Sequence, residues 1–362
     1  MARDFNAVSV PVSGKSPNMR ELTYVQALSE GLCQAMERDP SIFITGIAVD
    51  YPSGIFGSTT EAARRFGPAR VFDAPAMENA LTGIAIGAAV MGKRPVITHP
   101  RNDFMLLGFD NLINLAAKWR YMFNGRAGNV PIVVRAVIGK GWGQGATHSQ
   151  SLQAPLAHFP GLTVVMPAFP QDAKGLIIAA LQHDSPVVIL EHRSLYTVSG
   201  EVSEAFEATP LGKANTVRIG SDITIVATSL MAYEAYHAAD ELARHGVDAE
   251  IIDLRTIRPL DEDTVLGSIK KTRHLVVADT SWELCGVSSE IAALAAEKGW
   301  HHLKAPVCRI ALANAPAPVS KKLEDVFYPK ASTIARAALA TLGADPNRVG
   351  ELHREDTFKG PY

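Results

Sequence analysis

Residues 70–79, with the sequence RVFDAPAMEN, join a short β-rich run at Val71–Asp73 to an apolar helical pattern over residues 79–91. A strand followed at once by a helix is the repeating unit of α/β proteins. Glu78 falls at this junction, and α/β folds place ligands at the carboxyl ends of parallel strands. On spacing alone, the simpler interpretation is that Glu78 occupies the first turn of the helix, where the helix dipole favours an acidic residue. The segment therefore predicts an α/β fold and makes Glu78 a candidate ligand-binding residue.

The same alternation of strands and helices extends along the chain on both sides of this segment. Thr23 and Gln26 have the spacing of a capping box and predict the start of an amphipathic helix. The first series predicts strands at 42–46, 71–73, 94–98, 132–135 and 187–190, and helices at 79–91, 105–122 and 171–182. The second series predicts strands at 223–227, 249–254, 274–278 and 307–311, and helices that end at 246 or span 264–270 and 288–298. Strands that alternate with helices predict mostly parallel sheets flanked by helices.

The two series predict two domains. We expect an N-terminal arm over residues 1–19, a parallel-sheet domain over 20–199, a linker over 200–211, a smaller α/β domain over 212–343 and a polar tail over 344–362. The length of 362 residues agrees with two domains.

Composition excludes several classes of protein. Apolar residues make up 47% of the chain and charged residues 20%, close to the average of globular proteins. The net charge of −2 shows no basic excess for nucleic acid or an anionic membrane, and no apolar run is long enough for a membrane span. Cys33, Cys285 and Cys308 are far apart and form no CxxC pair, which argues against a zinc site or a disulfide framework. With no apolar leader pattern near Met1, these features predict a cytoplasmic protein.

Common catalytic signatures are absent from the sequence: GxGxxG after a strand, GxxxxGK[ST], HExxH and GxSxG. His148 instead lies in a glycine-rich segment, GWGQGATHSQ at residues 141–150, of the kind that lets a backbone approach a ligand closely. Phe104 follows the polar run HPRND at residues 99–103. Taken alone, His148 fits an ordinary loop histidine equally well, and Phe104 fits a core residue better than a cofactor platform.

Six motifs together indicate a family. They are RVFDAPAMEN at 70–79, FDNLIN with AAK at 109–118, THSQSL at 147–152, DAKGL at 172–176, DLRTIRPLD at 253–261 and FYP at 327–329. In this order they resemble the β subunit of the thiamine-diphosphate-dependent 2-oxo acid dehydrogenases, which act on pyruvate, branched-chain 2-oxo acids or acetoin. The resemblance covers roughly residues 20–342. It implies a transketolase-like pyrimidine-binding domain followed by a transketolase C-terminal domain.

The resemblance also assigns roles to four residues. Glu78 matches the glutamate that contacts the aminopyrimidine of the cofactor, Phe104 the aromatic residue that stacks on it, and His148 the histidine beside the reactive carbon; Ala76 is a further expected cofactor contact. A carboxylate that shares a proton with the pyrimidine ring helps remove the thiazolium proton, after which the cofactor acts as an electron sink. A neutral histidine there can bind the substrate oxygen or move protons.

The resemblance further implies two metals. A potassium ion would be held mainly by backbone carbonyls at Ile132, Ala180, Leu181, His183 and Ser185, although His183 replaces an aspartate that is usual in the family. The cofactor diphosphate needs Mg²⁺, which the family anchors through a Gly-Asp-Gly motif. That motif is absent from this chain, so the resemblance implies that an α-type partner subunit carries it, in an α2β2 heterotetramer.

These inferences lead to one functional hypothesis and two alternatives. The chain is expected to be a β-type subunit of an enzyme that decarboxylates a 2-oxo acid and passes the acyl unit to a lipoyl group on a separate acyltransferase. The first alternative is a split transketolase-like carboligase that transfers a two-carbon unit to an aldehyde or sugar; the second is a non-catalytic regulatory or scaffold subunit. Arg101 lies in a stretch that is more polar than is common in the family. It is therefore expected either to face the substrate channel and favour an anionic or polyhydroxylated reactant, or to form a surface or interface salt bridge.

Overall fold

The computed structural model describes residues 18–51, 54–140 and 143–352. The strands in this part of the chain are β1 (Met19–Thr23), β2 (Ile42–Gly46), β3 (Val71–Asp73), β4 (Arg94–His99), β5 (Val133–Ile138), β6 (Thr163–Val165), β7 (Val187–His192), β8 (Ser199–Ser203), β9 (Asn215–Arg218), β10 (Ile223–Ala227), β11 (Ala249–Asp253), β12 (Thr256–Arg258), β13 (Leu275–Trp282) and β14 (Cys308–Leu312). The helices are α1 (Tyr24–Arg38), α2 (Thr60–Phe66), α3 (Glu78–Val90), α4 (Asn102–Met105), α5 (Trp119–Met122), α6 (Gln153–His158), α7 (Pro170–Gln182), α8 (Leu230–Arg244), α9 (Glu262–Thr272), α10 (Val287–Lys298), α11 (Lys321–Phe327) and α12 (Ala331–Thr341). No helix among these residues is both long enough and apolar enough to cross a bilayer.

The first large sheet has the strand order β12-β6-β7-β5-β4-β2-β3. Every neighbouring pair in it is parallel except β12 and β6. A parallel sheet needs crossover connections, and the predicted helices α3 and α7 supply two of them. The carboxyl ends of β3 and β4 therefore lie at the same edge of the sheet, where α3 and α4 begin.

The second sheet has the strand order β14-β13-β10-β11-β9, with β9 antiparallel at its edge. Helices α8 and α12 pack against each other and against its strands, as do α9 and α10. The α/β class is thus confirmed in both halves of the chain.

A buried ion pair lies inside the first sheet. Arg135 on β5 donates to Glu191 on the neighbouring strand β7 at Nε–Oε1 2.6 Å and Nη2–Oε2 2.9 Å. Tyr196 donates to the same carboxylate at 2.6 Å, and Ser58 accepts from Arg135 at 2.8 Å. A charged pair without exposure to water needs such additional hydrogen bonds to offset the cost of desolvation.

The predicted capping box is confirmed. Thr23 Oγ1 accepts from the backbone N–H of Gln26 at 3.3 Å, and Gln26 Oε1 accepts from the N–H of Thr23 at 2.9 Å. The two reciprocal bonds satisfy N–H groups that have no partner inside the helix, and α1 begins where the sequence predicts.

Several elements differ from their predictions. The end of the expected arm and the start of the expected linker are strands, because β1 pairs antiparallel with β8. The described part of the tail folds back onto the core, with Val349 only 2% exposed and its carbonyl bound by Arg336 at 3.0 Å. The rest of the predicted arm and tail, residues 1–17 and 353–362, lies outside the described residues.

The predicted helix at 105–122 is a series of helical turns of different pitch. A 3-10 turn at Leu106–Gly108 and a π-helical segment at Asp110–Ala116 separate α4 from α5. Gly108 lies in the 3-10 turn and packs against α3. A Cβ atom there would lie 2.6 Å from Thr82 Oγ1 and 3.2 Å from the carbonyl oxygen of Glu78. The backbone can approach the first turn of α3 this closely only without a side chain.

Candidate active site

Glu78 is the first residue of α3, directly after β3 and a short connection. Glu78 is only 6% exposed, although the preceding Ala76 and Met77 are exposed. Its carbonyl oxygen accepts from Thr82 Oγ1 at 2.7 Å within the helix, whereas its carboxylate accepts no hydrogen bond from any described residue. Because no described residue donates to them, the carboxylate oxygens of Glu78 are available to a ligand that brings its own N–H group.

Phe104 and His148 are in direct contact. Phe104 lies in α4, and its ring is edge-on to the imidazole of His148, with ring centroids 5.2 Å apart and planes at 80°. Phe104 remains 39% exposed, so part of its ring is available to a flat ligand. Thr147 Oγ1 lies 2.9 Å from His148 Nδ1 and orients the imidazole.

The segment that carries Phe104 is fixed to the loop that carries His148. Asp103 Oδ1 accepts from the backbone N–H and the side-chain amide of Gln150, at 3.3 and 2.9 Å. Asn102 donates to the carbonyl of Gln150 at 3.3 Å. The structure thus brings Phe104 and His148 together and, through Gly108, places their segment against the first turn of α3. Of Ala76 the structure shows only that it lies exposed beside Glu78.

Arg101 does not lie on the surface. It is 7% exposed, and its guanidinium donates to Gln144 Oε1 and to the carbonyl of Pro100, the latter at 2.7 Å. Arg193 is fully buried and donates to the same Gln144 oxygen at 3.1 Å. Arg101 therefore lies in the loop region of His148, and a channel role for it stays a prediction.

The candidate loop also contacts the second domain. Gln153, at the start of α6, donates to Asp279 Oδ1 at 2.8 Å. Asp279 lies on β13 without solvent exposure and also accepts from Thr228 at 2.9 Å and from the N–H of Val287 at 3.1 Å. This carboxylate ties the end of the His148 loop to the sheet of the C-terminal half.

Comparison with known proteins decides the family. The family models for the transketolase pyrimidine-binding domain and the transketolase C-terminal domain match residues 20–199 and 212–334. The β subunit of acetoin:2,6-dichlorophenolindophenol oxidoreductase from Cupriavidus necator is 42% identical over 333 residues, which cover 89% of this chain and 98% of the relative. The chain belongs to the β-subunit family of the thiamine-diphosphate-dependent 2-oxo acid dehydrogenases.

Other members of this β-subunit family are similarly close. The corresponding subunit of Bacillus subtilis is 38% identical over 336 residues, covering 90% of this chain and 98% of the relative. The mitochondrial pyruvate dehydrogenase E1 component subunit beta-2 of Oryza sativa subsp. japonica is 42% identical over 323 residues, covering 88% of this chain and 86% of the relative.

Two solved structures share the fold of this β subunit. A split-gene transketolase, described as an inactive beta4 tetramer, superposes with a TM-score of 0.71 at 22% identity, covering 90% of this chain and 99% of that one. A transketolase mutant from Pichia stipitis superposes with a TM-score of 0.62 at 16% identity, covering 90% of this chain and 49% of that one. The transketolase-like fold expected from the sequence is confirmed.

The carbonyl groups proposed for potassium do not fit that ion as they are arranged in this β subunit. Arg94 Nη1 donates to the carbonyl oxygens of Leu181 and His183, at 3.1 and 2.9 Å. The carbonyls of Ile132 and Ala180 accept from backbone N–H groups, at 3.0 and 3.2 Å. A guanidinium cation already occupies two of the expected ligands and would repel a second cation.

Two further observations concern this potassium set. Arg94 Nη2 forms an ion pair with Asp184 Oδ1 at 2.8 Å, so the acidic residue in this turn pairs with the arginine. Burial lowers the pKa of His183, which therefore favours a neutral ring where the family usually has a carboxylate. For Ser185 the structure shows no carbonyl contact that supports or opposes potassium binding.

Sequence reasoning about this β subunit missed two members of the site region. Gln144 was part of the glycine-rich segment but was given no role, and Arg193 was not identified. Arg193 follows β7 directly. A charged residue at the carboxyl end of an apolar parallel strand was the signal that could have found it.

Proposed function

We propose that this chain supplies the pyrimidine-side half of a thiamine diphosphate site in an enzyme that decarboxylates a 2-oxo acid and transfers the acyl unit, with a lipoyl group as the acceptor. The observation that carries the proposal is the Glu78 carboxylate, to which no described residue donates. Glu78 is only 6% exposed and begins a helix that touches the segment of Phe104 and His148.

The residues of this chain have distinct tasks in the proposed site. Bound thiamine diphosphate supplies a nucleophilic carbon and an electron sink for loss of CO₂. Glu78 holds a proton at the pyrimidine ring nitrogen, in surroundings where exclusion of water strengthens that hydrogen bond. Phe104 offers a flat apolar surface to the ring. His148, oriented by Thr147, binds the carbonyl oxygen of the reactant or moves its proton.

The Mg²⁺ and diphosphate end of the cofactor belongs in this proposal to an α-type partner subunit. Magnesium is bound by carboxylate and amide oxygens together with phosphate oxygens. Within the described ranges no three histidine, cysteine or acidic side chains cluster in a way that suits a metal ion. The proposal therefore requires the α2β2 assembly that the resemblance implies. A cytoplasmic location stays a prediction.

Reconstitution tests the proposed function. The full chain is combined with the α-type subunit that carries the Gly-Asp-Gly motif, and is supplied with thiamine diphosphate, Mg²⁺ and a panel of 2-oxo acids. We expect release of CO₂ and acylation of a purified lipoyl domain. The Glu78→Gln variant should lose both activities. CO₂ release with transfer to an aldehyde instead of the lipoyl domain would select the carboligase alternative. Absence of CO₂ release from every 2-oxo acid, in a correctly assembled complex, would overturn the proposal.

A further inference from the structure

The three polar residues that precede Phe104 are buried in the folded chain. The exposed fractions of Arg101, Asn102 and Asp103 are 7%, 0% and 8%. Buried polar side chains normally have hydrogen-bond partners. Here all three side chains bond to the glycine-rich loop that carries His148. This polar run, residues 101–103, therefore connects the start of α4 to that loop.

The bonds reach the loop on both sides of His148. Arg101 Nε donates to Gln144 Oε1, four residues before the histidine, at 3.0 Å. Asp103 Oδ1 accepts from Gln150, two residues after the histidine, at 3.3 Å from the backbone N–H and at 2.9 Å from the side-chain amide. Each link joins a charged group to a neutral one, and such hydrogen bonds are stronger than those between two neutral groups. The polar run thus holds the loop at one point before and one point after the imidazole.

The loop takes its conformation from its contacts more than from its own sequence. Gly143 and Gly145 have φ values of 66° and 64°, in the left-handed region, and glycine loses more conformational freedom on folding than any other residue. The half of the loop before His148 packs on the C-terminal domain, because a Cβ atom at Gly145 would lie 2.6 Å from the side chain of Val319. The bonds of the polar run relate the histidine to the helix that carries Phe104.

Phe104 has a support that does not involve this loop. α4 continues directly into the 3-10 turn at Leu106–Gly108. Gly108 packs against the first turn of α3, where a Cβ atom would lie 3.2 Å from the carbonyl oxygen of Glu78. Loss of the bonds between Asp103 and the loop should therefore move His148 and leave Phe104 in place.

We propose that Asp103 is a positioning residue, which holds His148 against Phe104 through its two hydrogen bonds with Gln150. A displacement of a reacting group by about 1 Å can cost on the order of 100-fold in rate. A residue that acts only through the loop can therefore control turnover. The inference rests on the proposed function for the reaction that His148 serves, but the contact between His148 and Phe104 can be measured without catalysis.

The first test follows the imidazole in the full chain without cofactor. An aromatic ring shifts the NMR signals of nearby protons, so the ring-proton signals of His148 report its position relative to Phe104. The His148 signals are identified as those lost in His148→Gln, and Phe104→Leu gives their position without the aromatic neighbour. Asp103→Ala should move the His148 signals toward the position that they have in Phe104→Leu.

Two further variants separate loss of these hydrogen bonds from other effects. Asp103→Asn keeps an oxygen that can accept both bonds, so the His148 signals should stay at the wild-type position. Asp345 is the matched control, because its Oδ1 accepts from the backbone N–H and the side-chain amide of Asn347, at 3.0 and 3.1 Å, in an exposed turn. Asp345→Ala should leave the His148 signals unchanged. Signals that keep their wild-type position in Asp103→Ala, or that move equally in Asp103→Asn, would overturn the positioning role.

Gln150→Ala gives the same test with a smaller change, in case Asp103→Ala does not fold. It removes only the 2.9 Å bond, because the backbone N–H remains, and Gln150 is only half-buried. The His148 signals should move in the same direction as in Asp103→Ala, but less far. Unchanged signals in a folded Gln150→Ala chain would oppose the proposal.

The second test uses the reconstituted complex and compares two steps that depend on different residues in the proposed function. Exchange of the cofactor C2 proton depends on Glu78, whereas the reaction of the 2-oxo acid uses His148. Asp103→Ala should lower kcat for CO₂ release at least about tenfold and leave the rate of C2 exchange unchanged. Asp103→Asn should retain the wild-type kcat.

The two tests distinguish failure of the positioning role from failure of the proposed function. Equal losses of C2 exchange and CO₂ release in Asp103→Ala would indicate general damage to the site. That result would overturn the positioning role and leave the proposed function standing. Absence of CO₂ release from the wild-type complex, together with displaced His148 signals in Asp103→Ala, would refute the proposed function and leave the positioning of His148 by Asp103 standing.

Discussion

The imidazole of His148 is edge-on to the ring of Phe104, with centroids 5.2 Å apart, although 43 residues of sequence lie between the two. The contact fixes one edge of Phe104 and leaves part of the ring exposed. In the proposed function, that free surface receives the pyrimidine of the cofactor, and the histidine lies beside the reacting carbon.

Phe104→Ala should weaken thiamine diphosphate binding by the assembled complex by about tenfold, because it removes the aromatic contact and its buried area. Phe104→Tyr, which keeps the ring, should bind nearly as well as the wild type. Phe206→Ala removes a ring that packs against Arg38 and should leave cofactor affinity unchanged. Calorimetric titration measures all three, and equal affinity of Phe104→Ala and the wild type would remove Phe104 from the cofactor site.

Glu78→Gln should preserve folding and assembly but lower turnover by at least about 100-fold, the usual contribution of a positioned acid or base. The amide cannot hold the proton that the carboxylate shares with the pyrimidine. Exchange of the C2 proton of bound cofactor, followed by NMR, reports this step directly. Glu207→Gln, an exposed position, is the control. Unchanged C2 exchange in Glu78→Gln would exclude Glu78 from the mechanism.

Much of this architecture was predictable from local sequence. The capping pattern at Thr23 and Gln26, the strand at Ile42–Gly46 and the junction before Glu78 depend on residues close in the chain, and the structure has all three. β12 was not predictable, because Thr256–Arg258 follow a strand of the second sheet but pair with Val164 and Val165 of the first. Such pairing is decided by how the two halves pack and not by a local pattern.

Some residues of the candidate site could likewise be predicted from local sequence, and others could not. The motifs that carry Glu78, Phe104 and His148 were recognisable one by one. The convergence of Arg101 and Arg193 on Gln144 was not, because three segments far apart in the chain meet only in the folded protein. The proposed potassium ligands are backbone carbonyls, which every residue has. The sequence therefore could not predict that Arg94 donates to two of them.

A pH-dependent effect on stability is expected from Asp253. Burial, reinforced by the negative charge of Asp172, raises the pKa of Asp253 to about 8, while the Arg255 cation acts in the opposite direction. An unfolded aspartate titrates near pH 4. Between these values the folded state binds a proton that the unfolded state has released, so the free energy of unfolding falls as pH rises through this window.

Asp253→Asn should therefore raise the Tm at pH 8 more than at pH 5. Its side-chain oxygen can still accept from the N–H of Arg255, as Asp253 does at 3.1 Å. Thermal unfolding of the full chain from pH 5 to 8 tests this, with the exposed Asp263→Asn as control. Parallel Tm curves for the wild type and Asp253→Asn would show that Asp253 does not titrate in this window.

Arg94 predicts an insensitivity to potassium. Because its guanidinium already binds the carbonyls of Leu181 and His183, exchanging Na⁺ for K⁺ should leave the Tm of the wild-type chain unchanged. Arg94→Ala frees both carbonyls and should lower the Tm in Na⁺. The Tm of this variant should then be higher in K⁺ than in Na⁺, because the ion can bind the freed carbonyls. Arg64→Ala removes an exposed i,i+3 ion pair and serves as the control. A K⁺-specific rise in the wild type would mean that the ion displaces the arginine.

In the proposed function, this chain holds only one end of thiamine diphosphate. Calorimetric titration of thiamine diphosphate with Mg²⁺ into the full chain alone, and into the complex with its α-type subunit, tests it most directly. We expect weak binding and no turnover for the chain alone, and a steep rise in affinity in the complex, since a ligand held between subunits stabilises their assembly. Micromolar binding with turnover by the chain alone would contradict it.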